Sequence, residues 1–422
     1  MRTISQLIQF LEESPTCFHA IENTKAELDR NGFIRLSENE SWNLTSAGRY
    51  YVTRNDSSLI AFTIPAGSWK TMHILASHSD SPCFKLKENP ELETEGHYIR
   101  LNVERYGGML LAPWLDRPLS AAGRVVIKDP HTGDYVSRLV NVRRDLALIP
   151  NLAIHMNPDA NKGYTYNPQK DMLPLYGNIT AKDSFMKIVS EAAGVEVDAV
   201  LSHDLFLYNR EKASVWGAEN EFISCGRLDD LLCAFASLSG FLAGKKEQYL
   251  NLHCVFDNEE VGSSTRQGAA STFLYDTLTR IFLGLGRSTE DYLMCLADSM
   301  MLSADNAHAV HPNHPDKADP TNRPYLNGGI VIKYNANQKY CTDGISAAMF
   351  RDLCKKADVP VQTFANRSDM AGGSTLGNIS NTRVALHTAD IGLPQLAMHS
   401  PYETAGVKDV EYLIRVAEQF FA

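Results

Sequence analysis

The chain has 422 residues, 44% of them apolar and 21% charged, the make-up of an ordinary globular protein too long for one small core. Its 40 basic residues are outnumbered by 50 acidic ones, a formal charge of −10, which argues against nucleic acid or an anionic membrane surface as a partner. No apolar run approaches the ~20 residues that cross a bilayer, so no membrane partner is expected either.

The opening MRTISQLIQFLEESP reads as a short amphipathic helix with acids rather than a secretion signal. Apolar positions at helical spacing predict helices over 3–13 and 16–31, separated by Pro15 and stopped at Asn31-Gly32. His19, in the second helix's first turn, reads as a packed or capping histidine. From Tyr50 the texture becomes β, and TMHILASHSDSP is a strand running into His78, Ser79 and Asp80. In a His-x-Asp motif the aspartate can take or brace the spare ring N–H, so that the histidine presents a fixed nitrogen to a metal. By itself the motif equally fits a surface turn.

Between about Lys85 and Asn209 short β-like runs are punctuated by Gly107-Gly108, Pro113, Pro118 and Asp129-Pro130. This stretch reads as an inserted, mainly β domain. The expected division is 1–88 and 216–422 for a catalytic unit and 89–215 for the insert. His155, between Ile154 and Met156, has the surroundings of a core or interface histidine.

From about Phe222 the α/β texture returns, with a long apolar helix after Arg227, Asp229 and Asp230. Two acids at a helix start suit the macrodipole, so capping is the plain reading of them. Next, LHCVF is a strand that ends in the adjacent acids Glu259 and Glu260. STFLYDTLTRIFLGL reads as a helix, YLMCLADSM as a strand, and LSADNAHAVHP crowds Asp305, His308 and His311 together. GGIVIKYN and VPVQTFAN are further strands, and a helix over VEYLIRVAEQFFA closes the chain after His399. The fold class is therefore α/β, a mixed central sheet with helices on both faces and an inserted β domain. The eight cysteines include no CxxC pair, which suits reduced thiols in the cytoplasm and not a cysteine-type zinc site.

Strand ends of an open sheet converge on one edge. His78, Asp229, the pair Glu259-Glu260, Asp305 and His399 all occupy such ends or the adjoining loops. Two imidazoles and three carboxylates can hold two divalent ions if one carboxylate bridges them. Nitrogen and oxygen donors without sulfur suit zinc, with cobalt or manganese as substitutes. Two such ions would clamp one water, acidify it and polarise a carbonyl.

SPTCFHAI, ASHSDSPC, RYGG, WLDRPLSAAGRV, IPNLAIHM, RLDDL, DNEEVGS, SADNAHAVHPN, GGIVIKYNANQKY and LPQLAMHS together resemble the aspartyl aminopeptidase family of dinuclear zinc metallopeptidases over essentially the whole length. The resemblance implies a zinc exopeptidase-like fold and two zinc ions. His78, Asp229 and Asp305 would hold one ion, and Asp229, Glu260 and His399 the other. Glu259 would be the general base and Asp80 would orient His78. It further implies a cis peptide at Asp229-Asp230; many relatives carry Asn where this chain has Asp230. The insert would mediate dimerisation within a tetrahedral homododecamer and send His155 into a neighbour's site. His308, Lys333 and Tyr340 would contact the peptide substrate, Lys333 meeting an acidic P1 side chain.

Three other readings stay open at this point: the same enzyme with a neutral, leucine-type P1 preference, a metal-dependent carboxypeptidase or deacylase using Arg323 or Arg367 as a carboxylate clamp, and a non-catalytic shell or cargo protein. Lys333 could also be an exposed strand residue.

Overall fold

Four parallel strands at the middle of one sheet set the frame. In this computed structural model, residues 2–245 and 248–422 are described. Among them a nine-stranded sheet runs in the order Ile34–Leu36, Arg49–Arg54, Ser58–Thr63, Leu250–Phe256, Met72–His78, Met300–Ala304, His387–Gly392, Ile330–Tyr334 and Val361–Ala365. Leu250–Phe256, Met72–His78, Met300–Ala304 and His387–Gly392 are mutually parallel, with Phe256 beside His78 in register. The flanking strands Ser58–Thr63 and Ile330–Tyr334 run antiparallel, so the sheet is mixed.

Leu250–Phe256 is buried at every position, as expected of a strand covered on both faces. Alternate residues enter two separate cores. Leu75, Val255 and Leu302 pack with the helices Arg2–Glu13, Cys17–Arg30, Leu228–Ala243 and Val407–Phe420. Ile74, Cys254 and Met301 pack with Phe273–Gly284 and Thr289–Ala297 on the opposite face. The helices therefore lie on both faces of the mixed sheet.

A second sheet, six-stranded among the described residues, draws its strands from Cys83 to Asn209 and has its own core around Phe84, Trp114 and Leu205. A third joins Ser214–Trp216, Phe222–Cys225, Glu403–Gly406, Pro394–Leu396 and Ala307–His308. Nothing in the local sequence pattern announces this five-stranded sheet, yet it gathers the chain on its way out of two central strands.

One element departs from expectation. YLMCLADSM is not a strand: Thr289–Ala297 is a helix, and the strand begins at Met300. Ser288 and Asp291 form a capping box that starts the helix, a local signal that outweighs the strand-like apolar run. His19 is buried, with its Nδ1 2.8 Å from the Thr16 hydroxyl, the packed reading. All eight cysteines are free. No helix among the described residues is long and apolar enough to cross a membrane.

Gly392 marks where the sheet and the smaller strands touch. A Cβ there would stand 1.9 Å from the Asp305 carbonyl oxygen, so only glycine allows the contact. Gly392→Ala is expected to destabilise the protein by about 1–3 kcal/mol through overpacking, read as a lowered denaturant midpoint with an unchanged slope.

Candidate metal centre

Because the four central strands are parallel, their carboxyl ends share one edge, where open α/β sheets carry their sites. His78 is the last residue of its strand, and Glu259 and Glu260 begin a short 3₁₀ turn just beyond Phe256. Asp305 follows Ala304, and His399 lies beyond the short strand Pro394–Leu396. Asp229 arrives from a different direction, in the first turn of Leu228–Ala243, where Asp229 and Asp230 have non-helical backbone angles. The Asp229-Asp230 peptide is cis. Arg227, Asn258 and His399 itself adopt left-handed backbone, uncommon for such side chains.

These residues, scattered in sequence, converge. His78 Nε2 lies 3.6 Å from Asp229 Oδ1 and 3.8 Å from Asp305 Oδ1. His399 Nε2 lies 3.6 Å from Asp229 Oδ2 and 3.3 Å from Glu260 Oε2. The two oxygens of Asp229 thus face different imidazoles. Donor atoms of His78, Asp229, Asp230 and Asp305 form one group within 4.8 Å, and those of Asp229, Glu260 and His399 form another. Glu259 groups with His78 and Glu260 in a third.

The donor set fits zinc. Two donors bound to one tetrahedral zinc at ~2.0–2.1 Å stand roughly 3.3 Å apart. The observed separations of 3.3–3.8 Å match that better than the 2.7–3.2 Å of a hydrogen bond. Asp229 Oδ1, Asp230 Oδ1 and Glu260 Oε1 are buried with no hydrogen-bond partner, a costly condition for a carboxylate that a cation would relieve.

The protonation of these groups reflects the same crowding. Burial, together with the charges of Asp305, Asp80 and Asp229, pushes Glu259 up to about 8. Burial likewise raises Glu260 and Asp230 well above the carboxylate range. Burial alone would lower the two histidines, but Asp229 and Asp305 raise His78, and Asp229 lifts His399 to about 9. Among the protein's own groups, the two imidazolium rings and the Lys333 ammonium supply counter-charge, and a bound cation would take over the role of the rings.

Asp80 meets His78 through its main chain and not, as expected, through its side chain. His78 Nδ1 meets the Asp80 main-chain carbonyl at 3.1 Å, while the carboxylate is farther, at 3.5 Å. That carboxylate instead accepts the N–H groups of Glu259 and Glu260, both at 3.1 Å, and the Tyr106 hydroxyl at 2.6 Å. With its Nδ1–H bonded to the carbonyl, His78 points Nε2 towards Asp229 and Asp305, where that nitrogen could give up its proton and offer a lone pair to a metal.

Glu403 escapes sequence reasoning. Fully buried, it accepts the N–H of His399 at 2.7 Å through Oε1 and that of Asp229 at 3.0 Å through Oε2, joining two groups 170 positions apart. Its only local trace is its place four residues after His399. Gly108 supplies the other brace, its carbonyl lying 2.7 Å from His399 Nδ1.

Of the expected substrate contacts, Lys333 is buried at 2% exposure, so the exposed-strand alternative falls. Its ammonium donates to the Asn306 carbonyl at 2.9 Å, stands 3.5 Å from Asp305 Oδ2 and lies over the Tyr340 ring. His308 is exposed, its ring 6.1 Å from that of Phe364, which also neighbours Tyr340. His155 does not join the cluster; it sits exposed in a turn beside exposed Leu152, Ile154 and Met156. Arg367 is occupied by Asp369, and Arg323 by the Pro315 carbonyl.

Glu403→Gln keeps one acceptor and turns the other into a donor aimed at an N–H. It is expected to lower zinc retained after dialysis by at least about tenfold in affinity, measured by elemental analysis and chelator competition.

Comparison with known proteins agrees with this geometry. Residues 10–421 match the profile described as aminopeptidase I zinc metalloprotease (M18). The chain is 46% identical to a probable M18 family aminopeptidase 2 of Clostridium acetobutylicum, over 99% of this chain and 98% of that one. It is 42% identical to a protein of the same description from Pseudomonas syringae pv. tomato, over 99% and 97% of the two chains. Among solved structures, the cryo-EM structure of the Ape4 and Nbr1 complex superposes with a TM-score of 0.95 at 34% identity, covering 99% of this chain and 85% of that chain. The mApe1 dodecamer of S. cerevesiae superposes at 0.86 with 28% identity, covering 99% and 95%. The chain belongs to the aminopeptidase I zinc metalloprotease (M18) family, which includes the aspartyl aminopeptidases, and is a zinc-dependent aminopeptidase.

Proposed function

We propose that the protein removes acidic amino-terminal residues from peptides, with two zinc ions held by His78, Asp229, Asp305, Glu260 and His399 and with Asp229 shared between them. The observation that carries this reading is the division of one carboxylate between two imidazoles, each at 3.6 Å. Zinc, when bound, supplies Lewis acidity and a lowered water pKa. The chain's own residues do the rest.

Glu259 takes the proton of the attacking water on its carboxylate and returns one to the departing amine. Asp80 fixes its main chain, so the carboxylate swings only about its own side-chain torsions. Glu403 keeps Asp229 and His399 in register with each other. The free amino end of a peptide is cationic, and the carboxylate of Glu259, beside the proposed ligands and not one of them, suits it, which favours an aminopeptidase over a carboxypeptidase. Arg367 is paired with Asp369 and one nitrogen of Arg323 donates to the Pro315 carbonyl, which supports the aminopeptidase reading over one that needs either as a carboxylate clamp.

Acidic preference rests on Lys333, a buried ammonium whose attraction for a substrate carboxylate is strengthened by desolvation. Its existing contacts with Asp305 and Asn306 favour a second reading, in which Lys333 braces Asp305 and the pocket prefers neutral residues such as leucine.

The mApe1 relative is a dodecamer, and we propose that this chain assembles likewise, as a tetrahedral homododecamer in the cytoplasm. Residues 89–215 would form its dimer contacts and His155 would enter the neighbouring site as an oxyanion donor. The exposed Leu152, Ile154 and Met156 around that histidine support this, since apolar side chains at 48–72% exposure suit a covered face.

Two measurements test the reading. Glu259→Gln should retain zinc at the wild-type level and lose at least about 100-fold in kcat; ordinary turnover in that variant removes Glu259 as the base. Lys333→Met should cut kcat/KM on aspartyl- and glutamyl-anilides far more than on leucyl-anilide. Equal losses on all three would favour the brace, and hydrolysis of N-acetylated anilides would point to a deacylase.

A further inference from the structure

The segment Tyr106–Gly108 belongs to the end of a strand in the six-stranded sheet, yet it touches the metal centre at three points. The Tyr106 hydroxyl donates to Asp80 Oδ2 at 2.6 Å and accepts from Asn258 Nδ2 at 2.8 Å. Gly107 lies so close to Glu260 that a Cβ on it would stand 3.1 Å from the Glu260 Cβ. Gly108 offers its carbonyl to His399. Asn258 is the left-handed residue immediately before the acid pair, and Thr265 and Gln267 hold its amide oxygen from the far side.

Asp80 therefore receives donors from two elements: the main chain of Glu259 and Glu260 and the Tyr106 phenol, which shares Oδ2 with the Glu260 N–H. Burial, with the charges of Asp80 and Asp257, raises the phenol's pKa far above its usual value, so it acts as a donor at any working pH. Hydrogen bonds to a charged acceptor are roughly twice as strong as neutral ones. Packing does not duplicate this clasp. A cavity of about 290 Å³ opens behind it, between the six-stranded sheet and the central one, with Asp80, Tyr106, Asn258 and Phe206 in its wall. A wall backed by open space keeps its shape through its own hydrogen bonds.

We propose that Tyr106 is a positioning residue for catalysis: acting through Asp80 and Asn258, it lets the six-stranded sheet set the pose of the Glu259–Glu260 turn within the same chain. This rests on the reading of Glu259 as base and Glu260 as ligand. It gives that sheet a role in chemistry separate from any contact between subunits.

The test is Tyr106→Phe, which keeps the ring against Phe206 and removes only the hydroxyl. Tyr98→Phe, at the exposed start of the same strand, serves as control. With the full-length zinc enzyme, Tyr106→Phe should lower kcat about tenfold or more while KM stays within about twofold, as for a group that acts in the transition state alone. The rate of zinc loss to a chelator should rise in parallel, because Asp80 also holds the main chain of Glu260. Tyr98→Phe should match wild type in all three.

An unchanged kcat in folded Tyr106→Phe overturns the proposal. So does a loss of kcat that merely tracks a lowered thermal midpoint and is shared by Tyr98→Phe. Should Tyr106→Phe not fold, Asn258→Gly is read by the same criteria, since it removes the other half of the clasp and tolerates the left-handed backbone there. Glu259→Gln is assayed alongside: a working Glu259→Gln sinks the base reading, whereas an inert Glu259→Gln with a normal Tyr106→Phe sinks this inference alone.

Discussion

Crowded negative charge governs this molecule. Asp80, Asp229, Asp230, Asp305 and Glu403 are buried in one region, and Glu259 and Glu260 stand half-buried beside them. A carboxylate taken out of water must be met by hydrogen bonds or by positive charge. Asp80 and Glu403 are met by main-chain N–H groups and so serve as braces. Asp229, Asp230 and Glu260 keep unpartnered oxygens, and this leaves them available to a cation. Main-chain donors thus mark the two braces, whereas of the proposed ligands Asp229 and Glu260 keep an unpartnered oxygen and Asp305 is met by Lys333.

The sheets explain how such a cluster is assembled. Parallel central strands bring His78, the acid pair and Asp305 to one edge, the acid pair in the short turn just beyond Phe256 and Asp305 directly after Ala304. Asp229 and His399 come from farther away, and the five-stranded sheet brings them in. Its strand Glu403–Gly406 pairs with Phe222–Cys225, so the carboxylate of Glu403 lies beside the chain that continues into Asp229. One side chain then measures the distance between two segments that have no other reason to agree.

The six-stranded sheet is part of the same construction. Tyr106 and Gly108 connect it to Asp80 and His399, so the second core and the catalytic edge are mechanically joined. Lys333, on the strand Ile330–Tyr334, adds a buried cation that offsets part of the charge on Asp305. Its double engagement is why the choice between acidic and neutral substrates turns on what its ammonium contacts when a peptide is bound.

Much of this was legible along the chain. Hydrophobic periodicity marked the helices and most strands, because apolar spacing is a local consequence of burial on one face or two. Residue chemistry and motif spacing named His78, Asp229, Glu259, Glu260, Asp305 and His399, all of which converge. Where local signals competed, the reading failed: a capping box at Ser288 made a helix of an apolar run that looked extended. What only the tertiary structure decided was which acids pair with what. Asp80's carboxylate could have faced His78, Lys333 could have faced solvent, and Glu403 was one glutamate among many. Those outcomes depend on hydrogen bonds between residues tens to hundreds of positions apart, and sequence order carries no record of distances set by the packing of three sheets.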